Sequence, residues 1–379
     1  MAIFGFSFAF PFLSIFISKD LGVHPGHDLD LWTAASASAS GLSMAIASPI
    51  WGLLGDRYGR KPMLIRSMLG GALTVGLIYF ARNPTELLIL RFLQGATSGT
   101  VAAATALVAA ETPRSRVAWS LGVVTSAVAL GGAIGPVIGG LAAEVFGLRL
   151  VFLGGGILLL ASLVPVVLIV QESPMVRASG PRANVVDLIK QRPGLPKQLA
   201  VLIGSQGLIG VCNSATSQLV VLRLLEMVTN GVSAVSGLGF GLAGLSSSAA
   251  AIFYTRVTRR LGYVRTVAAA AGLVAVAVAL IGIAPWVALV VIGVGLNGLF
   301  SGVILPATAS MIGLETPHEA QSTVFGLNAS SVAFGFFLGP LIAGTVAATA
   351  GVSASLLVIA TLALVLAGVV AAGAREPSR

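Results

Sequence analysis

An all-α integral membrane fold of twelve helices, arranged as two pseudo-symmetric six-helix bundles, is predicted by three observations. Only 9% of the 379 residues are charged and 56% are hydrophobic, whereas a soluble domain carries about 25% charge. The apolar residues come in blocks of roughly 20, the length that crosses about 30 Å of hydrocarbon as a helix. The later blocks also repeat the earlier ones at a fixed offset. Lipid offers the backbone no hydrogen bonds, so each block must be helical, and the short alternating segments of a β-barrel do not occur in the sequence.

The blocks place spans at 2–18, 32–54, 63–81, 86–110, 117–143, 148–170, 199–222, 236–254, 264–283, 286–311, 321–348 and 352–374. The first follows Met1 at once, with no basic segment before it and no A-x-A-like site after it. A cleaved signal peptide is therefore not expected, and a short or missing leader is. With alternate loops on opposite sides, 17 of the 22 Lys and Arg fall on one side. Only Lys19, Arg82, Arg149 and Arg223 fall on the other, and Arg91 lies within a span. The positive-inside rule makes the basic side cytoplasmic, with both termini there. The net charge of +9 is then a topology signal, and no nucleic-acid partner is expected. The Ala-, Val-, Gly- and Arg-rich composition points to a bacterial inner membrane.

A single cysteine, Cys212, excludes an intramolecular disulfide and a cysteine-based metal site. His24 and His27 share a loop with Asp28 and Asp30, which reads either as a surface metal site or as a solvated loop; His318 is also in a loop, and no metal is expected. No G-x-x-x-x-G-K-[ST] run is present, so ATP is not the expected energy source, and no acid pair or Ser/His/Asp set is placed for catalysis.

The chain divides at a polar stretch, 171–198, which holds four prolines and five basic residues. It reads as a cytoplasmic linker, with a short interfacial helix around 185–191, between an N-terminal bundle (1–170) and a C-terminal bundle (199–379). Glu111-Thr112-Pro113 recurs as Glu315-Thr316-Pro317, offset by 204. At that offset Gly122, Gly131, Gly135-Pro136, Gly140 and Gly147 meet Gly326, Gly335, Gly339-Pro340, Gly344 and Gly351. Parallel repeats of six spans can rock about a shared central site.

Between spans two and three runs Gly52-Leu53-Leu54-Gly55-Asp56-Arg57-Tyr58-Gly59-Arg60-Lys61-Pro62. Gly55 and Gly59 suit a sharp turn. Asp56 can bond basic neighbours or free helix N–H groups. Arg57, Arg60 and Lys61 sit at headgroup level. The run resembles the loop signature G-x-L-a-D-r-x-G-r-k-x of the major facilitator superfamily. Its second-half counterpart, 255–263, keeps Arg260 and Gly262, but Arg259 stands where the acid would be.

In span five, Gly131, Gly135 and Gly139 are spaced by four and form a groove on one helix face, and Pro136 deletes a backbone bond. Plain helix packing explains such a groove. With Gly122 and Gly140, however, the spacing G-x8-G-x3-G-P-x2-G-G resembles the signature of the drug:proton antiporter branch. That resemblance implies an exporter; the echo in span eleven is what symmetry alone would also preserve. Arg91 in span four costs at least about 2.5–3.5 kcal/mol in hydrocarbon. It either has a function or snorkels to the external end. Its motif resembles the family's span-four arginine, which implies a role with Asp56 in proton coupling.

The resemblance covers essentially the whole chain and implies proton-driven efflux of small hydrophobic compounds, needing no cofactor beyond the proton gradient and no second subunit. A carrier of a sugar, organic anion or siderophore with the same fold is the alternative, and a membrane receptor or enzyme a remote one. No acidic residue lies at mid-membrane, which favours a neutral or anionic substrate. Candidate cavity residues are Phe8 and Phe12 (span one), Gln94 (four), Gln206, Asn213 and Gln218 (seven), Asn297 (ten) and Asn328 (eleven). Each is equally explicable as a polar contact between helices.

Overall fold

The computed structural model describes residues 2–113, 116–172, 195–316 and 321–377, where every regular element is a helix. Span one is broken into α1 (Ala2–Ser7), a 3-10 turn (Phe10–Phe12) and α2 (Leu13–Lys19). Pro11 accounts for the break, since it has no N–H to donate and its ring crowds the preceding turn. Span two lies within α3 (His27–Tyr58), whose 32 residues reach about 48 Å. Span three is α4 (Arg60–Leu77) with a closing 3-10 turn (Ile78–Phe80). Span four divides into α5 (Pro84–Thr97) and α6 (Thr100–Glu111). The division falls at Gly99, whose φ of +117° is the left-handed conformation that glycine alone adopts freely. Asn83 starts α5 by accepting the Glu86 amide, and Pro84 occupies the first turn, where its missing N–H costs nothing.

Six further helices are unbroken in the second half: α9 (Leu195–Met227), α10 (Val232–Leu261), α11 (Tyr263–Ile283), α12 (Val287–Glu315), α13 (Gln321–Ala350) and α14 (Val352–Gly373). They follow α7 (Val117–Phe146) and α8 (Leu148–Leu168), spans five and six. Among the described residues, ten crossings are long and apolar enough to traverse a bilayer by themselves. The other two are the broken first span and α3, whose apolar stretch is diluted by serines and flanked by charge.

Two expectations need correction. The linker does not extend to Gln198, because α9 begins at Leu195, with Pro196 in its first turn, where a proline fits. Of the rest of the linker, residues 171–172 are described, while 173–194, including the interfacial helix around 185–191, lie outside the described residues, as do Pro317 and His318. The signature run is also more helical than the apolar blocks predict, which end span two at 54, with the turn at Gly55 and Gly59. Helix α3 continues through Asp56 and Arg57 to Tyr58, and Gly59 alone joins it to α4, with φ +104°.

Packing repeats with the sequence. In the first half α1 lies on α7, α3 on α5, and α4 on α8; six spans later α9 lies on α13, α10 on α12, and α11 on α14. The close approaches repeat too. A methyl on Gly95 would lie 2.0 Å from the Ser40 carbonyl oxygen, and one on Gly298 2.3 Å from that of Ala243, both at an offset of 203. The halves meet through α3 against α13 and α7 against α10.

These junctions run from one end of the molecule to about mid-helix, where a methyl on Gly41 would stand 2.6 Å from Phe337 N and one on Gly244 2.7 Å from Ala133 Cα. A methyl on Gly140 would meet the Ser233 carbonyl oxygen at 2.3 Å, and one on Gly344 would meet that of Asp30 at 2.7 Å. Eighteen residues are five whole turns at 3.6 residues per turn, so Gly122 shares the helix face of Gly140, and Gly326 that of Gly344. Both Gly122 and Gly326 have open space where a Cβ would stand. The bundles therefore touch at the end bearing Asp30 and Ser233 and part at the basic end.

Candidate functional site

Where α3 gives way to α4, the exposed amides of a helix start need acceptors. Glu172, just beyond α8, supplies them: its carboxylate accepts from Arg60 N at 2.6 Å and from Lys61 N at 3.0 Å. An anion across a helix N-terminus is favoured by both the bonds and the macrodipole. Glycine is favoured at this turn by the φ of +104° at Gly59, and a Cβ there would also press on the Glu172 carboxylate at 2.8 Å. Arg60 Nη1 donates to Ala106 O at 3.2 Å and Lys61 Nζ to Val167 O at 3.0 Å, tying α4 to α6 and α8. Arg57 is exposed and lies 5.4 Å over the Tyr58 ring. Gly55 is buried against Met63, and Gly52 faces open space. Asp56 is placed by its backbone in the last turn of α3; its side chain lies outside the described residues.

Glu376 repeats the arrangement in the second half, accepting from Tyr263 N and Val264 N at 2.9 Å beside Gly262, φ +84°. Sequence reasoning missed both acids. Their signal was available, because Glu172 and Glu376 stand at the repeat offset of 204.

Arg91 is 9% exposed and does not reach for the headgroups. Its side chain crosses to span two, where Nε donates to Ser36 O at 3.3 Å and Nη2 to Ser40 Oγ at 2.7 Å, while Nη1 donates to Gln94 Oε1. The guanidinium lies 4.5 Å over the Phe10 ring of span one. Neutral oxygens and an aromatic face thus hold the cation, and no carboxylate pairs with it among the described residues.

The glycine face of α7 presses on two partners. Gly135 and Gly139 admit span one: a methyl on Gly139 would stand 1.8 Å from Phe8 O, and one on Gly135 2.7 Å from Ser7 Cβ. Pro136 and Gly140 admit α10 of the other half at Gly237 and Ser233. Gly131 is buried. Gly122 instead lines a cleft of about 500 Å³ along the basic-end half of α7, with Val123, Ser126, Ala127 and Leu130.

The candidate cavity residues are not brought together in that cleft. Phe12 is fully buried in the core, with its ring 3.2 Å from where a Gly140 Cβ would stand, and Phe8 packs into the same core. Burial against the α7 groove, which the alternating phenylalanines do not reveal, takes both away from that cleft. Gln206 bonds Leu305 O at 3.1 Å, and Asn213 accepts from Ser301 Oγ at 2.9 Å, so both join spans seven and ten. Gln218 is buried with its amide oxygen and nitrogen unpartnered, and the side-chain oxygens of Asn297 and Asn328 are likewise buried without a partner among the described residues.

Comparison with known proteins agrees with this architecture. The family model described as Major Facilitator Superfamily matches residues 1–295 and 207–379. A "Multidrug resistance protein MdtG" of Dickeya zeae is 32% identical over 368 residues, covering 95% of this chain and 88% of that protein. A "Multi-drug resistance efflux pump PmrA homolog" of Lactococcus lactis is 30% identical over 346 residues, covering 90% and 84%. Among solved structures, a variant of the nucleoside transporter NupG superposes with a TM-score of 0.75 at 14% identity, over 99% of this chain and 98% of that one. The human organic anion transporter MFSD10 (TETRAN) superposes with a TM-score of 0.68 at 20% identity, over 97% and 96%. Fold, repeat and near-complete coverage converge: this chain belongs to the Major Facilitator Superfamily, whose members are membrane transporters and not enzymes.

Proposed function

We propose that the chain is a proton-coupled exporter of small hydrophobic compounds that works by alternating access. The observation that carries this reading is a contact between the halves that runs from one end to mid-helix and stops short of the basic end. Faces that pack at Gly140 and Gly344 are bare, five turns away, at Gly122 and Gly326. Rocking the halves would exchange one set of contacts for the other. The bodies that rock are 1–170 and 195–379, joined by 171–194. The basic end is cytoplasmic, with both termini, so this conformation opens to the cytoplasm, where an exporter loads. The cell's inner membrane is the site of action, and one chain suffices.

The names of the bacterial relatives support drug export. Arg91, a cation inside a bundle that pairs with no carboxylate among the described residues, is suited to couple substrate movement to protonation of a carboxylate elsewhere, with Asp56 at the signature turn as the gating acid. The energy source is the proton gradient, with no cofactor. The test is resistance in cells expressing the chain: growth in hydrophobic drugs should depend on it and disappear with Asp56→Asn while the protein stays in the membrane. Undiminished resistance in that variant would remove Asp56 from the mechanism. No resistance to any drug, with the protein present, would favour a metabolite carrier.

A further inference from the structure

The break in span four creates a group of donors that the reading above does not use. Arg66, on α4, crosses to the break and donates from Nη2 to Ser98 O at 3.1 Å. Its guanidinium lies 3.6 Å over the Trp51 ring of α3, and Trp51 is itself fixed by a bond from Nε1 to Ala96 O at 2.6 Å. Stacking on an indole holds the plane of the guanidinium without using its N–H groups. Arg66 Nε and Nη1 are buried and donate to nothing among the described residues. Beside them, the Ser98 and Thr100 hydroxyls are also buried without partners, and Thr100 is 7% exposed. Thr100 opens α6, a helix of 12 residues that no side chain caps. A methyl on Gly99 would stand 3.8 Å from Arg66 Nη2, which places the cation at the helix start.

A fixed guanidinium, two free hydroxyls and the positive end of a helix have one common complement, a group with several anionic oxygens. Leaving so many buried donors unpaired is costly without it. We propose that Arg66, Ser98, Thr100 and the start of α6 form a receptor for a single oxyanion, a carboxylate or phosphoryl group, seated against Trp51. Arg66 lies six residues, about 9 Å of helix, from the start of α4 at the basic end. That depth admits either an acid dissolved in the aqueous phase or the headgroup of an anionic phospholipid. The site is separate from the Arg91 group and does not depend on the export reading.

The test measures binding, so it stands whether or not drugs are transported. The full chain is placed in nanodiscs of phosphatidylcholine, alone or with phosphatidylglycerol, and titrated with phenylphosphonate and its neutral dimethyl ester. Phenylphosphonate should give a saturable change in tryptophan fluorescence and the ester none. Trp51→Phe should lose the fluorescence change but keep the calorimetric heat. Arg66→Gln and Thr100→Val should each weaken binding by about tenfold or more, and Arg66→Lys, which keeps the charge and loses the planar fork, should fall between. Binding in both discs identifies a soluble acid as the ligand. Binding that phosphatidylglycerol displaces in wild type, and not in Arg66→Gln, identifies the headgroup. Binding equal in wild type, Arg66→Gln and Thr100→Val, or none in either disc with no Arg66-dependent effect of phosphatidylglycerol, overturns the proposal.

Discussion

Glu172 and Glu376, 204 positions apart, make the same pair of bonds, each spanning the first two amides of a helix that follows a left-handed glycine. In each half the chain leaving the sixth span folds back to cap the third. The repeat is therefore kept in an electrostatic contact where the surrounding residues have diverged: Arg60 and Lys61 in one half stand opposite Tyr263 and Val264 in the other.

Removing the charge at these positions should loosen each half on its own. Glu172→Gln is expected to lower stability by about 1.5–3 kcal/mol, the range for a hydrogen bond to a charged group. Glu376→Gln, at an exposed position, should cost less. The sites are in different halves and share no partner, so the double variant should be additive. Thermal unfolding of the purified protein in detergent checks this, and strong non-additivity would contradict two separate caps.

The two ends of the α7 glycine face should respond differently. Gly139→Ala places a methyl against Phe8 O and should destabilise by about 1–3 kcal/mol, as overpacking does. The Cβ added by Gly122→Leu meets nothing in this conformation, and the variant should leave thermal stability within about 0.5 kcal/mol. It should nevertheless abolish transport, because the bare face must close in the opposite state. Full transport by Gly122→Leu would show that this face never packs.

Much of this architecture was legible in the sequence, because span positions follow from apolar length and the repeat from identical spacing. Glycine could be placed on a helix face by counting turns, and the partners at Phe8 and Ser233 follow once the bundle is known. The breaks at Pro11 and Gly99 were less visible, since both residues also occur in continuous membrane helices. Arg66 read as a topology charge because its platform, Trp51, comes from another helix. Arg91 was open between function and snorkelling because a side chain's direction is set by its neighbours, here Ser36, Ser40 and Phe10.

Acid should favour closure of the end that is closed here. Asp30 precedes the apolar stretch that begins at 32, and burial pushes its carboxyl up to about 6, with Glu226 adding to the shift and His27 opposing it. Glu226 is itself paired with Arg223 at 2.9 Å. Opening the junction would return Asp30 toward about 3.9. The raised value belongs to the packed state, so protonation stabilises packing: the effect is complete below about pH 4 and lost as pH rises through about 6. In a Cys212→Ser background, thiol labelling of Leu29→Cys, taken relative to an exposed control cysteine at each pH because only the thiolate reacts, should slow as pH falls through that window. Asp30→Asn should keep a constant ratio to that control across it, and an unchanged pH dependence of the ratio would assign the effect to another group.

Arg91 should tolerate no replacement that loses its fork. Arg91→Lys keeps a charge but cannot bond Ser36, Ser40 and Gln94 together, and should lower coupled transport by about tenfold or more. Arg91→Gln should abolish it while the protein remains in the membrane. Initial rates of drug efflux at equal expression check both.

The most direct test of proton-coupled export is proton movement in inverted membrane vesicles carrying the chain. A pH gradient is established, and hydrophobic drugs are added one at a time. The expected result is partial collapse of the gradient with several unrelated drugs, absent from the Asp56→Asn and Arg91→Gln variants. A gradient that holds against every drug, with the protein present and folded, would contradict proton-coupled drug export.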